Sequence, residues 1–491
     1  MISTRSLSIA AAVAMALGTG TASALDFATT SGLANASGQP NVLTVAGASA
    51  QRTAFLQLMN SDVCASGSLD LYRASPTSNQ DFRAYSCTTV GDTGEGSIGE
   101  TLGGSASTNV LVYYRSEGGS AWGPYSIAQR SVVDSIVGNN IGPDFVGIKQ
   151  LNLGTGTTCN NTSSLTTVDS VLVRVHECAV AGYDILTDGE AAAIAGLANR
   201  QTQLGTADVE PKLFTGTNNP AKPNGPTQKF SAAAPVVDRL KAISSTASQG
   251  FGQVFSIIVN NNPATADSFT DDAALTNLTS SELTGIFTKT ITNWCTIRPS
   301  IAGCPSTLAA INIVRREPGS GTQVAAGVEF TRAGCGDNFA FATDTAVGLS
   351  DHVFEAASSS VLESTVPTTA NAIGINILKT GSSAVSNTKT LSIDGVMPLN
   401  TSAADLSYKF AYESTYTLAG NAVLPSGSVP FDLANGLITL SQDVNRIPVN
   451  TAVFAIPGLS DNDSGELGSP NGQPTAKGSR GGQSCRPMQP Q

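Results

Sequence analysis

The chain has 491 residues, only 13% of them charged, and a formal net charge of −11. At about 150 residues per domain this length makes room for two or three domains and a substantial core. The acidic balance argues against nucleic acid and anionic membrane as partners, but it does not exclude a small anion held locally by backbone amides and an arginine.

In chain order, the first expected element is a secretory signal, Met1 to Ala24. It carries one positive charge at Arg5, an apolar stretch from Leu7 to Leu17 and the cleavage pattern Ala22-Ser23-Ala24. The mature chain is therefore expected to begin near Leu25 and to reach the periplasm or the cell exterior, with 25 basic against 37 acidic residues. No cysteine stands close enough behind the cleavage site for a lipid anchor, the first being Cys64. No later stretch reaches the roughly 18 apolar residues of a spanning helix, so no membrane insertion is expected.

Residues 25–39 are small and polar and read as a loose leader. Val42 to Val45 reads as a buried strand that breaks at Ala46-Gly47-Ala48-Ser49 and runs into a helical pattern with Phe55, Leu56 and Met59. The same grammar recurs at Val110 to Tyr114, followed by Ser116-Glu117-Gly118-Gly119-Ser120. It recurs again at Ile311 to Val314, followed by Arg316-Glu317-Pro318-Gly319-Ser320-Gly321-Thr322. Strands alternating with helices predict parallel pairing, with ligands at the carboxyl ends of strands. The stretch from about 126 to 201, rich in Gly, Asn and Thr, reads as an elaboration of the first lobe. Thr279-Ser280-Ser281-Glu282 is a capping-box start, with Leu283, Ile286 and Phe287 on one buried helical face. From 458 onward the chain lacks apolar residues and is expected to be a disordered tail, tethered through Cys485.

Eight cysteines in an exported chain favour disulfides. Their order suggests Cys64 with Cys87, Cys159 with Cys178, Cys295 with Cys304 and Cys335 with Cys485, although sequence alone does not prove the pairing. None of the spacings is C-x-x-C, and the only histidines are His176 and His352, so neither a Cys/His zinc site nor another cofactor is expected.

The sharpest chemical feature is the loop from Arg316 to Thr322, followed by Gln323 and an apolar helical stretch through Phe330. A glycine-rich turn opening a helix presents unpaired N–H groups at the positive end of the helix dipole, and Arg316 adds a planar fork for two oxyanion oxygens. Ser320 and Thr322 add hydroxyl donors. A plain capping box of Ser320 with Gln323 is the competing reading.

Leu278 to Phe287, Ile291-Thr292-Asn293-Trp294, the Arg316 to Thr322 loop and Ala372-Ile373-Gly374-Ile375, in this order, resemble the periplasmic phosphate-binding proteins of ABC transporters. The resemblance implies a two-lobe type II periplasmic-binding-protein fold of the α/β class, with mixed sheets flanked by helices and a ligand cleft between the lobes. Lobe one would comprise 40–257 with a return at 380–457, lobe two 258–379, and the crossings near Val259 and Gly374 would form the hinge. The resemblance further implies a monomer that binds inorganic phosphate or a related oxyanion and delivers it to an ABC transporter permease. Residue by residue, Ser49 and Ala50 resemble the first ligand loop. Ser120 resembles the hydroxyl of the second, with Gly119 beside it. Arg316, Ser320, Gly321 and Thr322 form the third.

Leu204 to Pro211 resembles the segment that carries the family's aspartate, here Asp208. A carboxylate facing the anion is tolerated only if the ligand donates a proton to it, which phosphate does near neutral pH and sulfate does not. Each hydroxyl or carboxylate has a plainer role open to it: Ser49 as a helix cap, Asp208 as a turn cap before Pro211. Gln51, Arg52, Arg115 and Glu117 depart from the family pattern and leave room for a wider mouth or a different anion. Two other functions stay open, a secreted scaffold or adhesion protein and a phosphatase, but no cluster of His and Asp stands out as catalytic.

Overall fold

The computed structural model describes residues 24–75, 81–91, 98, 107–128, 150–154, 159–181, 201–218, 234–265, 275–300, 304, 309–336, 341–342, 352–379, 384–443, 445–447, 452–456 and 474–490. The expected signal, up to residue 23, lies outside them, as do residues 129–149, 155–158 and 182–200 of the expected elaboration.

The chain adopts the expected α/β architecture, a large mixed sheet flanked by helices. The strands of the chain begin with β1 (Val42–Gly47), β2 (Asp70–Ala74), β3 (Phe82–Thr88), β4 (Asn109–Arg115), β5 (Gln150–Leu151), β6 (Asn160–Val168), β7 (Val171–Cys178), β8 (Val180–Ala181) and β9 (Leu204–Ala207). They continue with β10 (Ser248–Asn260), β11 (Asn277–Leu278), β12 (Asn312–Arg316), β13 (Val353–Ala356), β14 (Ala372–Ile377), β15 (Thr388–Ile393), β16 (Ala411–Leu418), β17 (Val453–Phe454), β18 (Gly478–Ser479) and β19 (Gln489–Pro490). The spatial order across the large sheet is β13-β12-β14-β10-β16-β9-β1-β4-β3-β2-β7-β6, while β5 with β8 and β18 with β19 form two small separate sheets.

The long strand β10 is shared by both halves of this sheet. Residues Ser248 to Val254 pair with β16, whereas Phe255 to Val259 pair with β14 and Ile257 to Asn260 with β15. The change of partner thus falls at Val254–Phe255, a few residues before the crossing expected near Val259. In the first half, β1 lies parallel between β4 and β9; in the second, β12 lies parallel between β13 and β14. Strands covered on both faces are mostly apolar rather than alternating, and the six residues of β1, with Thr44 the one polar side chain, are all buried.

The capping box at Thr279 forms as the sequence predicts. Its hydroxyl accepts from the Glu282 amide at 3.1 Å, while the Glu282 carboxylate accepts from the Thr279 amide at 2.7 Å. The helix Ser280–Phe287 then buries Leu283, Ile286 and Phe287. All four disulfides suggested by cysteine order are formed. Strands β6 and β7 from the elaboration extend the sheet at its edge, β7 running parallel to β2.

Three expectations are corrected. The leader contains a helix, Phe27–Asn35, because Asp26 caps it by accepting from the Thr29 amide and because Phe27 and Leu33 pack against Tyr72, Leu111 and Tyr113. Strand β15, expected with the first lobe, pairs with β10 and β11, so the second half runs on at least to Ile393. The tail from 474 to 490 is folded against the body; polar contacts to Glu413 and the Cys335–Cys485 bridge hold it where apolar residues are lacking. Among the described residues no helix is long and apolar enough to cross a membrane.

Candidate functional site

The candidate residues follow the carboxyl ends of β1, β4, β9 and β12, where open α/β sheets place their ligands. Strand β1 ends at Gly47 with φ +135°, and a Cβ there would fall 1.8 Å from the Thr206 carbonyl oxygen, so only glycine allows β1 to lie this close to β9. The turn is fixed from both sides: the Ala48 amide donates to the Thr206 carbonyl at 3.1 Å, and the Tyr114 hydroxyl donates to the Ala48 carbonyl at 2.6 Å. Ser49 opens the turn Ser49–Gln51 without capping it; its hydroxyl lies 3.3 Å from that of Ser359. Ala50 beside it is buried.

The second loop holds Gly118 and Gly119 at φ +77° and delivers Ser120, whose hydroxyl donates to Asp208 Oδ2 at 3.0 Å. The Ala121 amide donates to the Gly319 carbonyl at 2.9 Å, which joins this loop of the first half to the Arg316 loop of the second. Asp208 is buried and caps no turn, and its Oδ1 has no hydrogen-bond partner among the described residues. Burial pushes its carboxyl up to about 6, against the opposing influence of the Ser120 hydroxyl, the Gln253 amide, the Arg316 charge and the Gln51 amide.

Arg316 closes the other side. Its Nη1 donates to the Ser359 hydroxyl at 2.7 Å and its Nε to the Ala356 carbonyl at 3.3 Å, while its backbone amide donates to Gln323 Oε1 at 3.1 Å. Gln323 is thereby committed to Arg316, and Ser320 makes no side-chain cap, so the plain capping box is not formed. The helix Gly321–Ala326 continues through a π-turn, Gly327–Thr331. Its first turn rests on the Ser120–Asp208 pair: a Cβ on Gly321 would lie 2.3 Å from Ser120 Oγ and 2.5 Å from Asp208 Oδ2. Ser320 and Thr322 are buried on either side of it.

Direct contacts connect five of the eight candidate residues, in two sets. Ser49 reaches Arg316 through Ser359, and Ser120 joins Asp208 to Gly321. The arrangement offers hydroxyl and amide donors, a guanidinium on one side and an acceptor-only carboxyl oxygen on the other. The departing charges do not face this cluster unpaired. Arg52 lies 3.4 Å from Asp81, and Arg115 pairs with Glu117 at 3.1 Å and stacks on Trp122 with its guanidinium carbon 3.7 Å from the ring centre.

Three members were not read from the sequence. Ser359 comes from the helix Ser359–Thr365, which Ser358 caps by accepting from the Val361 amide. Gln253 is a lone amide in an apolar stretch of β10, fully buried; it is close enough to Asp208 to favour its carboxylate, but neither of its side-chain atoms has a partner within hydrogen-bond distance among the described residues. Glu317 is buried with both carboxyl oxygens unpartnered; burial pushes it up to about 8, Arg316 opposes this, and Glu355, Asp81 and Glu117 add to it. Among the described residues no group of three His, Cys, Asp or Glu side chains could hold a metal ion.

No family model and no curated protein matches the chain. Among solved structures it is similar to a phosphate-binding protein from Stenotrophomonas maltophilia, with 12% identity over 80% of this chain and 88% of that one and a TM-score of 0.32. It is also similar to an ABC-type phosphate transport receptor from Vibrio cholerae, with 17% identity over 51% of this chain and 77% of that one and a TM-score of 0.28.

Proposed function

We propose that the chain is an exported solute-binding protein that closes two lobes, the halves of the sheet either side of Val254–Phe255, around a protonated tetrahedral oxyanion. Inorganic phosphate is the preferred ligand, and an ABC-type permease receives it. Arg316 and the amides of Gly321 and Ala50 neutralise the charge, Ser49, Ser120, Ser320 and Thr322 donate through hydroxyls, and Asp208 accepts the proton of the ligand.

The reading is supported above all by Asp208: a buried carboxyl whose Oδ1 lacks a donor, set among donors and next to a guanidinium. Such a group selects a ligand that brings its own proton, and the surrounding N–H and O–H groups suit oxygen atoms that carry none. Binding without turnover fits a set with no activated nucleophile. Calorimetric titration with phosphate, arsenate and sulfate, paired with a phosphatase assay, tests this. Phosphate binding without turnover and without sulfate binding supports the reading; turnover, or silence toward all three anions, contradicts it.

A further inference from the structure

The segment 474–490 contacts both halves of the sheet, which the proposed function, on which this inference rests, places on either side of a ligand cleft. On one side it is bonded to the first half. The Ala476 amide donates to the Ala455 carbonyl at 2.8 Å and Ala455 in turn donates to Pro474, beside β17. Glu413 on β16 accepts from the Ser479 hydroxyl at 2.7 Å, the Arg480 amide at 2.6 Å and the Gly482 amide at 2.9 Å. The Ser484 hydroxyl accepts from the Glu210 amide at 3.1 Å, two residues beyond Asp208.

On the other side it grips the element that begins at Gly321. Glu329 lies in the π-turn that continues the helix Gly321–Ala326, and its carboxylate sits 3.7 Å from Arg480 and accepts from the Tyr412 hydroxyl at 3.0 Å. Arg480 is itself buried, with its guanidinium 4.2 Å from the Tyr412 ring centre. A few residues further on, Cys335 is joined covalently to Cys485 across 150 residues of sequence.

We propose that residues 474–490 form a strap that pins the far end of the Gly321–Thr331 element to the first half and so limits how far the cleft opens. The element carries Gly321 and Thr322 at one end and Glu329 near the other, so a tether at Glu329 and Cys335 restrains the site loop through a rigid helix. The covalent bond supplies permanence, and the Glu329–Arg480–Glu413 contacts supply direction. Opening then costs more in the oxidised protein than in one lacking the bridge, and bound ligand is retained longer.

The test compares the full-length oxidised protein with Cys335→Ser/Cys485→Ser by small-angle X-ray scattering without ligand and by the release rate of inorganic phosphate. The expected result is a larger radius of gyration for the ligand-free variant and phosphate release faster by roughly fivefold or more. Identical scattering and release, with only a lower melting temperature, would overturn the strap and leave the bridge as a stabiliser. Should the double variant fail to fold, Arg480→Gln keeps the bridge and removes its polar partner; expansion of its ligand-free form supports the strap, and an unchanged profile opposes it. Scattering needs no ligand, so failure of the strap is distinguishable from failure of the proposed phosphate reading.

Discussion

At Asp208 burial favours the neutral acid, while the Ser120 hydroxyl and the Arg316 charge favour the carboxylate. The balance leaves the folded-state value raised from 3.8 to about 6. Stability from the neutral form is therefore fully present below about 3.8 and is lost as pH rises through about 6. Asp208→Asn cannot ionise, and the ligand-free variant is expected to exceed the parent by up to about 3 kcal/mol in urea unfolding at pH 7.5, with the gap closing as the pH falls through the same window. Glu317 follows the same sign over a higher window, from 4.5 to about 8. Glu317→Gln should raise the melting temperature at pH 8 and change little near pH 4; equal shifts at both would contradict the assigned burial effect. Arg316→Ala removes a charged donor from a closed site, and calorimetry should record phosphate affinity weakened by about 100-fold or more, since charged hydrogen bonds contribute about 1.5–3 kcal/mol each.

At the scale of elements, the site depends on how closely three glycine turns approach one another. Gly321→Ala places a methyl group against Ser120 and Asp208 from the first turn of its helix, so these side chains must shift and their hydrogen bond is disturbed. The expected outcome is loss of anion binding with the fold retained by circular dichroism. The Arg316 to Thr322 loop was legible in the sequence because its residue types and its place between a strand and a helix converge on one chemistry. Ser359 was not, because its position next to Arg316 follows from the pairing of β12 with β13, and no local pattern encodes which strand lies beside which. Gln253 was hidden for a related reason: a single amide in an apolar strand shows its surroundings only once β10 is seated between β14 and β16. The leader helix was missed because its cap, Asp26, is followed by small and polar residues with too weak a periodicity to read.

At the scale of the whole molecule, α/β class and cysteine pairing were legible from alternating elements and cysteine order, and both are seen in the structure. Of the tail, residues 474–490 were misread because composition reports apolar burial, whereas this segment is held by Glu413, by Arg480 and by a disulfide; residues 458–473 lie outside the described residues. The two halves of the sheet share β10, so in the proposed function the lobes would close by a rotation at that strand. The claim on which the functional account rests is that a buried, donor-poor carboxyl chooses the anion. Sulfate titration by calorimetry at pH 7.5, run on the parent and on Asp208→Asn, tests it most directly. The parent is expected to bind no sulfate and the variant to bind it measurably; sulfate bound equally well by both would contradict selection by Asp208.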